Sequence, residues 1–290
     1  MVIHKIKNTI KFLILFKWRF IDFDTFFYLQ LRILKYSQMP HFKYHIQKRF
    51  TRLISRHYRG FGLDSPFVYH FVRNVIEAKM HYYPFRKLDR LCQNILSVLE
   101  GAISNKNLKE DENLWYVSEF NHLKDCTKLN RFIFRLVNFV NPKSLAFIGD
   151  DSGLNLIYLA KTDTRRDLYC MGARGFVHDF AHPILKEQAV CNVVFSDLNT
   201  DLNFDFIQIS RSVSSEVLLK FEQNLDKYLN EECYLIIENI NRDEKMISLW
   251  DRLKKLDRFT VSLDLFDVGI LIARKGLKKQ EHNLSARAYK

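Results

Sequence analysis

Three groupings of reactive side chains stand out in the chain, and each has a simpler reading. Asp64, Ser65 and His70 lie close together and are residue types used in nucleophilic catalysis. Ser65-Pro66, however, reads as a helix N-cap followed by proline in the first helical position, which accounts for the serine structurally. His178 and His182 stand at i and i+4, a spacing that puts two imidazoles on one helical face. Pro183 follows and no third ligand is evident, so a solvated helix is the better account. The five cysteines (Cys92, Cys126, Cys170, Cys191, Cys233) form no C-x-x-C pair and have no histidine at zinc-ligand spacing. Cys170 and Cys233 fall inside apolar runs, as buried thiols do. No metal is expected, and unpaired cysteines suit a reducing cytoplasm.

The elements that position side chains follow from periodicity. With 290 residues, 47% of them hydrophobic, the chain has room for one α/β domain and an added helical part, and wholesale disorder is excluded. Beyond the turn-forming Gly60-Phe61-Gly62-Leu63-Asp64, apolar residues at helical spacing predict a helix from 66 to about 80 and a second over 85–99. The polar stretch 104–113 has no apolar face and reads as a loop or linker. A helix is expected over 127–140, ended by Asn141-Pro142. From there short apolar runs (145–148, 167–171, 192–195, 205–209, 233–237) alternate with helical ones (154–161, 178–189, 214–229, 243–256). Such alternation indicates a parallel sheet with helices on both faces. The last two runs, 258–265 and 268–274, are separated only by Phe266-Asp267, too short a link for a parallel crossover, so they must pair antiparallel. The expected fold is α/β: a Rossmann-like, seven-stranded sheet with a terminal antiparallel hairpin, preceded by a helical N-terminal region. The expected organisation is a basic aromatic arm (1–59), a helical cap and linker (60–126), the α/β domain (127–276) and a basic tail (277–290).

Several stretches together resemble a family of class I S-adenosylmethionine-dependent methyltransferase-like proteins common in Bacteroidetes. They are Gly62-Leu63-Asp64-Ser65-Pro66-Phe67-Val68-Tyr69, the strand and turn from Ser144 to Gly153, Ile237-Glu238-Asn239-Ile240 with Met246 and Trp250, and the hairpin around Asp264-Leu265-Phe266 and Gly269. The likeness spans roughly residues 55–280. It implies S-adenosylmethionine as cofactor, cradled by Gly149, Asp150, Asp151 and Gly153 after the first strand, with Asp197 after the third near the adenine. It places acceptor-side groups at Ser210, Arg211, Glu238 and Asn239, for a small-molecule or macromolecular acceptor that these residues do not identify. Equally, Gly149 and Gly153 can be read as closing a strand-to-helix turn, and Asp197 as a solvated loop residue. Met246 and Trp250 are most simply core or domain-contact residues.

The chain departs from that pattern in three places. Phe147-Ile148 stands where family members carry an acid at the end of the first strand. Met171-Gly172-Ala173-Arg174 stands where a second acid accepts from the ribose hydroxyls, a task for which a carboxylate is suited and an arginine, a donor only, is not. Ser210-Arg211 replaces an acid with a nearby histidine. Glu238-Asn239 alone makes a thin metal site. Methyl transfer is mostly a matter of positioning, since the sulfonium carries the activation. The departures therefore point either to a divergent enzyme or to a catalytically inactive domain kept as an interaction module.

The formal charge of +12 is not spread evenly. Residues 1–60 hold 13 Lys or Arg against Asp22 and Asp24 only, leaving 32 basic and 31 acidic groups in the remainder. The same segment carries Phe12, Phe16, Trp18 and other aromatics among its cations. It suits packing on the domain or on a second copy first, an anionic membrane surface second, and nucleic acid third. Its apolar run 10–16 is interrupted before reaching the roughly 20 residues of a spanning helix and lacks a small-residue cleavage site. A cytoplasmic protein, peripheral to the inner membrane face if the arm docks there, is expected. Translation starting at Met39 would leave residues 1–38 without a role.

Overall fold

The computed structural model describes residues 65–78, 80, 82–104, 108–124, 127–198 and 202–284. The arm at 1–59 and the turn before Ser65 lie outside them. The described chain begins with α1 (Pro66–Phe71), whose start is set by Ser65: its side chain accepts from the Val68 amide, and Pro66 occupies the first turn. A π-helical turn (Val72–Ile76) continues it, so the helix expected to reach residue 80 stops earlier. Next come α2 (Phe85–Ile103), α3 (Glu110–Leu123) and α4 (Thr127–Val140). The stretch expected as a loop over 104–113 is thus corrected at its end, because α3 already starts at Glu110. Glu110, Asp111 and Glu112 in its first turn complement the positive end of the helix.

The α/β part runs β1 (Leu145–Ile148), α5 (Leu154–Ala160), β2 (Leu168–Met171), α6 (Gly175–Glu187), β3 (Val193–Ser196) and β4 (Phe204–Ile209). It continues with α7 (Ser215–Gln223), α8 (Leu225–Tyr228), β5 (Leu229–Glu238), α9 (Glu244–Leu253), β6 (Val261–Asp264), β7 (Val268–Ala273) and β8 (Gln280–Asn283). The eight strands among the described residues form one sheet, ordered β3-β2-β1-β4-β5-β7-β6-β8. β1 to β5 pair in parallel, whereas β7 lies antiparallel between β5 and β6. Five parallel strands closed by a reversed one, inserted beside the fifth, is the layout of an S-adenosylmethionine-dependent methyltransferase-like fold. The seven expected strands are all present, and an eighth, β8, lies within the segment expected as a basic tail and pairs parallel with β6.

The two faces are separated by strand alternation. Leu145 and Phe147 of β1 pack with α1 to α6, while Ala146 and Ile148 pack with α7 to α9. Burying each large apolar side chain, such as Phe132 or Phe221, contributes about 1.5–3 kcal/mol. Met246 and Trp250 are core residues of α9, as their spacing suggested. The Trp250 ring lies directly on β7, where a Cβ at Gly269 would come within 2.5 Å of it. Glycine is required there for space and not for its backbone freedom. Cys92 and Cys233 are buried, and burial pushes both thiols up to about 11, which leaves them protonated and inert. Among the described residues no helix is long and apolar enough to cross a membrane.

Candidate functional site

Parallel strands expose their unpaired carboxyl ends at one edge of the sheet, and that edge is where open α/β sheets bind ligands. Here it collects the turn after β1, the β2–α6 turn, the β4–α7 turn and Glu238-Asn239. Helix α3 lies across it. The helix buries Trp115, Glu119 and Leu123 at four-residue spacing. Trp115 is held edge-on by Phe176 and Phe180 of α6, at 5.7 and 5.6 Å between ring centroids. Glu119 forms an ion pair with Arg211, and both side chains are nearly inaccessible.

The turn after β1 is built from its own carboxylates. Asp151 accepts from the Gly153 amide at 2.8 Å, from the Leu156 amide at 3.3 Å and from Asn155 Nδ2 at 2.8 Å. It therefore caps α5, and Gly153 at φ +95° makes the left-handed step into that helix. Asp150 turns the other way: Oδ1 accepts from the Arg174 amide at 2.9 Å and Oδ2 from Arg174 Nε at 2.6 Å. The Arg174 guanidinium also lies over the Phe176 ring, 4.7 Å from its centroid. Ser210 Oγ donates to the Asp150 carbonyl at 2.9 Å.

The remaining sequence-derived candidates divide. Glu238 is buried, accepting from Gln208 Nε2 at 2.6 Å and from the Arg211 amide at 3.3 Å. Asn239, in the left-handed region at φ +58°, donates its amide to the Asp267 carbonyl and lines the cleft described below. Asp197 lies exposed after β3, near the Lys220 ammonium whose pKa it helps to raise. Gly149, Asp150, Asp151, Gly153, Ser210, Arg211 and Glu238 are thus brought together, and Asn239 sits at their rim. His178 and His182 stack on α6 with ring centroids 5.4 Å apart, beside Phe195. Among the described residues no group of three or more His, Cys, Asp or Glu is gathered as a metal ion requires. Trp115, Glu119 and His122 belong to this edge and were not legible in the sequence. Their stripe has a charge in its middle, so it does not read as an apolar face.

Four carboxylates crowd the edge: Glu119, Asp150, Asp151 and Glu238 are each buried. Burial pushes Asp151 up to about 7, and the charges of Glu119 and Glu238 add to the effect. Burial also raises Asp150 and Glu238, against the lowering influence of Arg174 and Arg211 respectively.

Between α3 and the strand ends lies a cleft of about 460 Å³. Trp115, Ser118, His122, Arg174, Arg211 and Arg242 are among the residues that line it.

The residues present do not fit S-adenosylmethionine in the way the resemblance implies. Both Asp150 oxygens are already held by Arg174, and Asp151 is consumed by the turn. A Cβ at Gly149 would meet Val213 at 2.9 Å, and one at Gly172 would meet Val217 at 2.7 Å, so the protein's own β4–α7 segment fills the space beside both glycines. The cofactor carries a sulfonium and an ammonium beside a single carboxylate, a net positive charge. At this edge Asp150 and Glu119 are paired with Arg174 and Arg211, and Asp151 and Glu238 are buried.

No protein-family profile matches the chain, and neither does any curated protein. Solved structures similar to it include an O-methyltransferase from Bacillus cereus in complex with SAH, at 14% identity and a TM-score of 0.46 over 72% of this chain and 97% of that one. An SAH-bound methyltransferase from Podospora anserina shows 12% identity and a TM-score of 0.45, covering 68% of this chain and 99% of its own. Spermidine synthase from Thermotoga maritima shows 15% identity and a TM-score of 0.43, over 58% and 72%. The fold assignment rests on the strand order and directions given above.

Proposed function

We propose that this chain is a methyltransferase-like protein in which the class I scaffold is kept as a binding module, its ligand entering the cleft beneath α3. S-adenosylmethionine is not its working cofactor on this reading. The observation that carries it is the closure of the cofactor turn. Asp150 is tied to Arg174 through both oxygens, and Val213 and Val217 fill the sides of Gly149 and Gly172. Catalysis by positioning needs a bound cofactor, and a closed turn removes the group that carries the activation.

A second reading, a working methyltransferase with an acceptor still to be identified, is favoured by the strand order and by the left-handed glycine opening α5. Calorimetric titration of the full chain with S-adenosylmethionine and S-adenosylhomocysteine separates the two. No saturable binding below millimolar concentration is expected. A micromolar Kd for either compound overturns the module and restores the enzyme, with an acceptor screen as the next step.

A further inference from the structure

The cleft beneath α3 holds hydrogen-bonding capacity that the surrounding ion pairs leave unused. Trp115 is among the residues that line the cleft, is only 4% exposed, and its buried Nε1 has no hydrogen-bond partner. An indole N–H can only donate, and a buried donor without an acceptor is unfavourable. Two turns further along α3, His122 also lines the cleft, and its enclosed Nε2 has no partner either. Arg174, Arg211 and Arg242 bring three guanidinium groups to the same wall. Arg174 and Arg211 each hold a carboxylate, but a guanidinium carries five N–H donors, so donors remain beyond those pairs.

Two acids also line the cleft. Asp243 is engaged as the N-cap of α9, with the Lys245 ammonium 3.6 Å away, and Asp111 sits in the first turn of α3. At His122 the positive groups prevail: burial and then the charges of Arg211 and Arg242 hold its pKa well below the ordinary value. Burial is the first cause of its neutrality, and the two arginine charges add to it.

We propose that this cleft binds a small anionic ligand through a carboxylate or phosphate group, received by Trp115 Nε1 and by the guanidinium groups of Arg174, Arg211 and Arg242. The proposal takes its location from the binding-module reading and names the class of ligand.

The test uses the full chain in calorimetric titrations with inorganic phosphate, with citrate and with uncharged glycerol. Wild type, Trp115→Phe, Arg242→Gln and the distant control Arg165→Gln are compared, each checked for an unchanged circular dichroism spectrum. Saturable binding of phosphate or citrate is expected, with none for glycerol. Trp115→Phe and Arg242→Gln should each weaken it about tenfold, the effect of losing one hydrogen bond to a charged group, and Arg165→Gln should leave it unchanged. Tighter phosphate binding points to a phosphate-bearing ligand, tighter citrate binding to a carboxylate.

Arg242 is exposed, so its variant keeps the test open if Trp115→Phe fails to fold. Absence of saturation by either anion below about 10 mM, a very weak affinity, overturns the proposal, as does binding unaffected by both substitutions. S-adenosylhomocysteine is titrated separately. Micromolar binding of it together with anion binding overturns the module but not this inference, and failure of anion binding alone overturns only this inference.

Discussion

Removing Arg211 should cost more than removing its partner Glu119, and the difference should depend on pH. The pair is nearly buried, with side chains 8% and 3% exposed. Deleting one member of such a pair strands the other charge and costs about 3–5 kcal/mol, whereas replacing both by apolar groups of similar volume is often neutral or stabilising. The environment here is not symmetric. Arg211 also lowers the pKa of Glu238, while Glu119 raises those of Asp151 and Glu238. Arg211→Met therefore leaves Glu119 and Glu238 without their cation, whereas Glu119→Leu relieves repulsion among the acids as it strands the arginine. Arg211→Met should lie at or above the top of that range and Glu119→Leu at the bottom, with the double variant within about 1 kcal/mol of wild type.

The pH sign follows from linkage. Burial already raises Glu238, and the variant removes the lowering influence of Arg211 on it, so its protonation should shrink the cost of Arg211→Met from about pH 8.5 to about pH 5.5. Urea unfolding followed by far-ultraviolet circular dichroism at both pH values, on the four proteins of the cycle, makes the measurement. A loss below about 1 kcal/mol for Arg211→Met at both pH values, a median surface-pair value, would refute the reasoning. So would a double variant as unstable as the sum of the singles.

Two further outcomes follow from the same structure. Asp151 has a folded-state pKa of about 7, above its ordinary 3.8, so its influence on stability is most favourable below that ordinary value and is lost as pH rises through about 7. Asp151→Asn keeps an acceptor for the Gly153 and Leu156 amides and should flatten this dependence, melting higher than wild type at alkaline pH and no higher near pH 4; parallel pH profiles would contradict the assignment. Gly269→Ala should destabilise by about 1–3 kcal/mol, the cost of overpacking, because the new methyl meets the Trp250 ring. Thermal unfolding reads this, and Trp250→Leu in the same chain should recover part of the loss.

The fold and the ligand contacts of its site depend on different residues. The strand order depends on buried apolar runs that are all present. Ligand contacts depend on a few polar residues at strand ends, and three of those positions differ from the pattern that the resemblance implies. Arg174, read from the sequence as unsuited to a ribose diol, has in the structure a definite partner. It satisfies Asp150, one of the two acids that the resemblance offered to the cofactor.

The amino-acid order alone determined the β–α alternation, the start of α1 at Ser65-Pro66, the antiparallel closure by β6 and β7, and the burial of Met246 and Trp250. Each of these depends on local periodicity, on a cap or on a link too short for a crossover, all written within a few neighbouring residues. Tertiary structure decided the rest. Strand β8 is a polar Gln280–Asn283 segment that exists only because β6 offers it an edge, and α3 is placed by a stripe containing a charge that finds its partner 92 residues away. The same holds for the site. Asp150 meets Arg174 across 24 residues, and Glu238 meets Gln208 across 30. Which carboxylate is satisfied by which cation is settled by three-dimensional distance and burial, quantities that residue type and spacing do not encode.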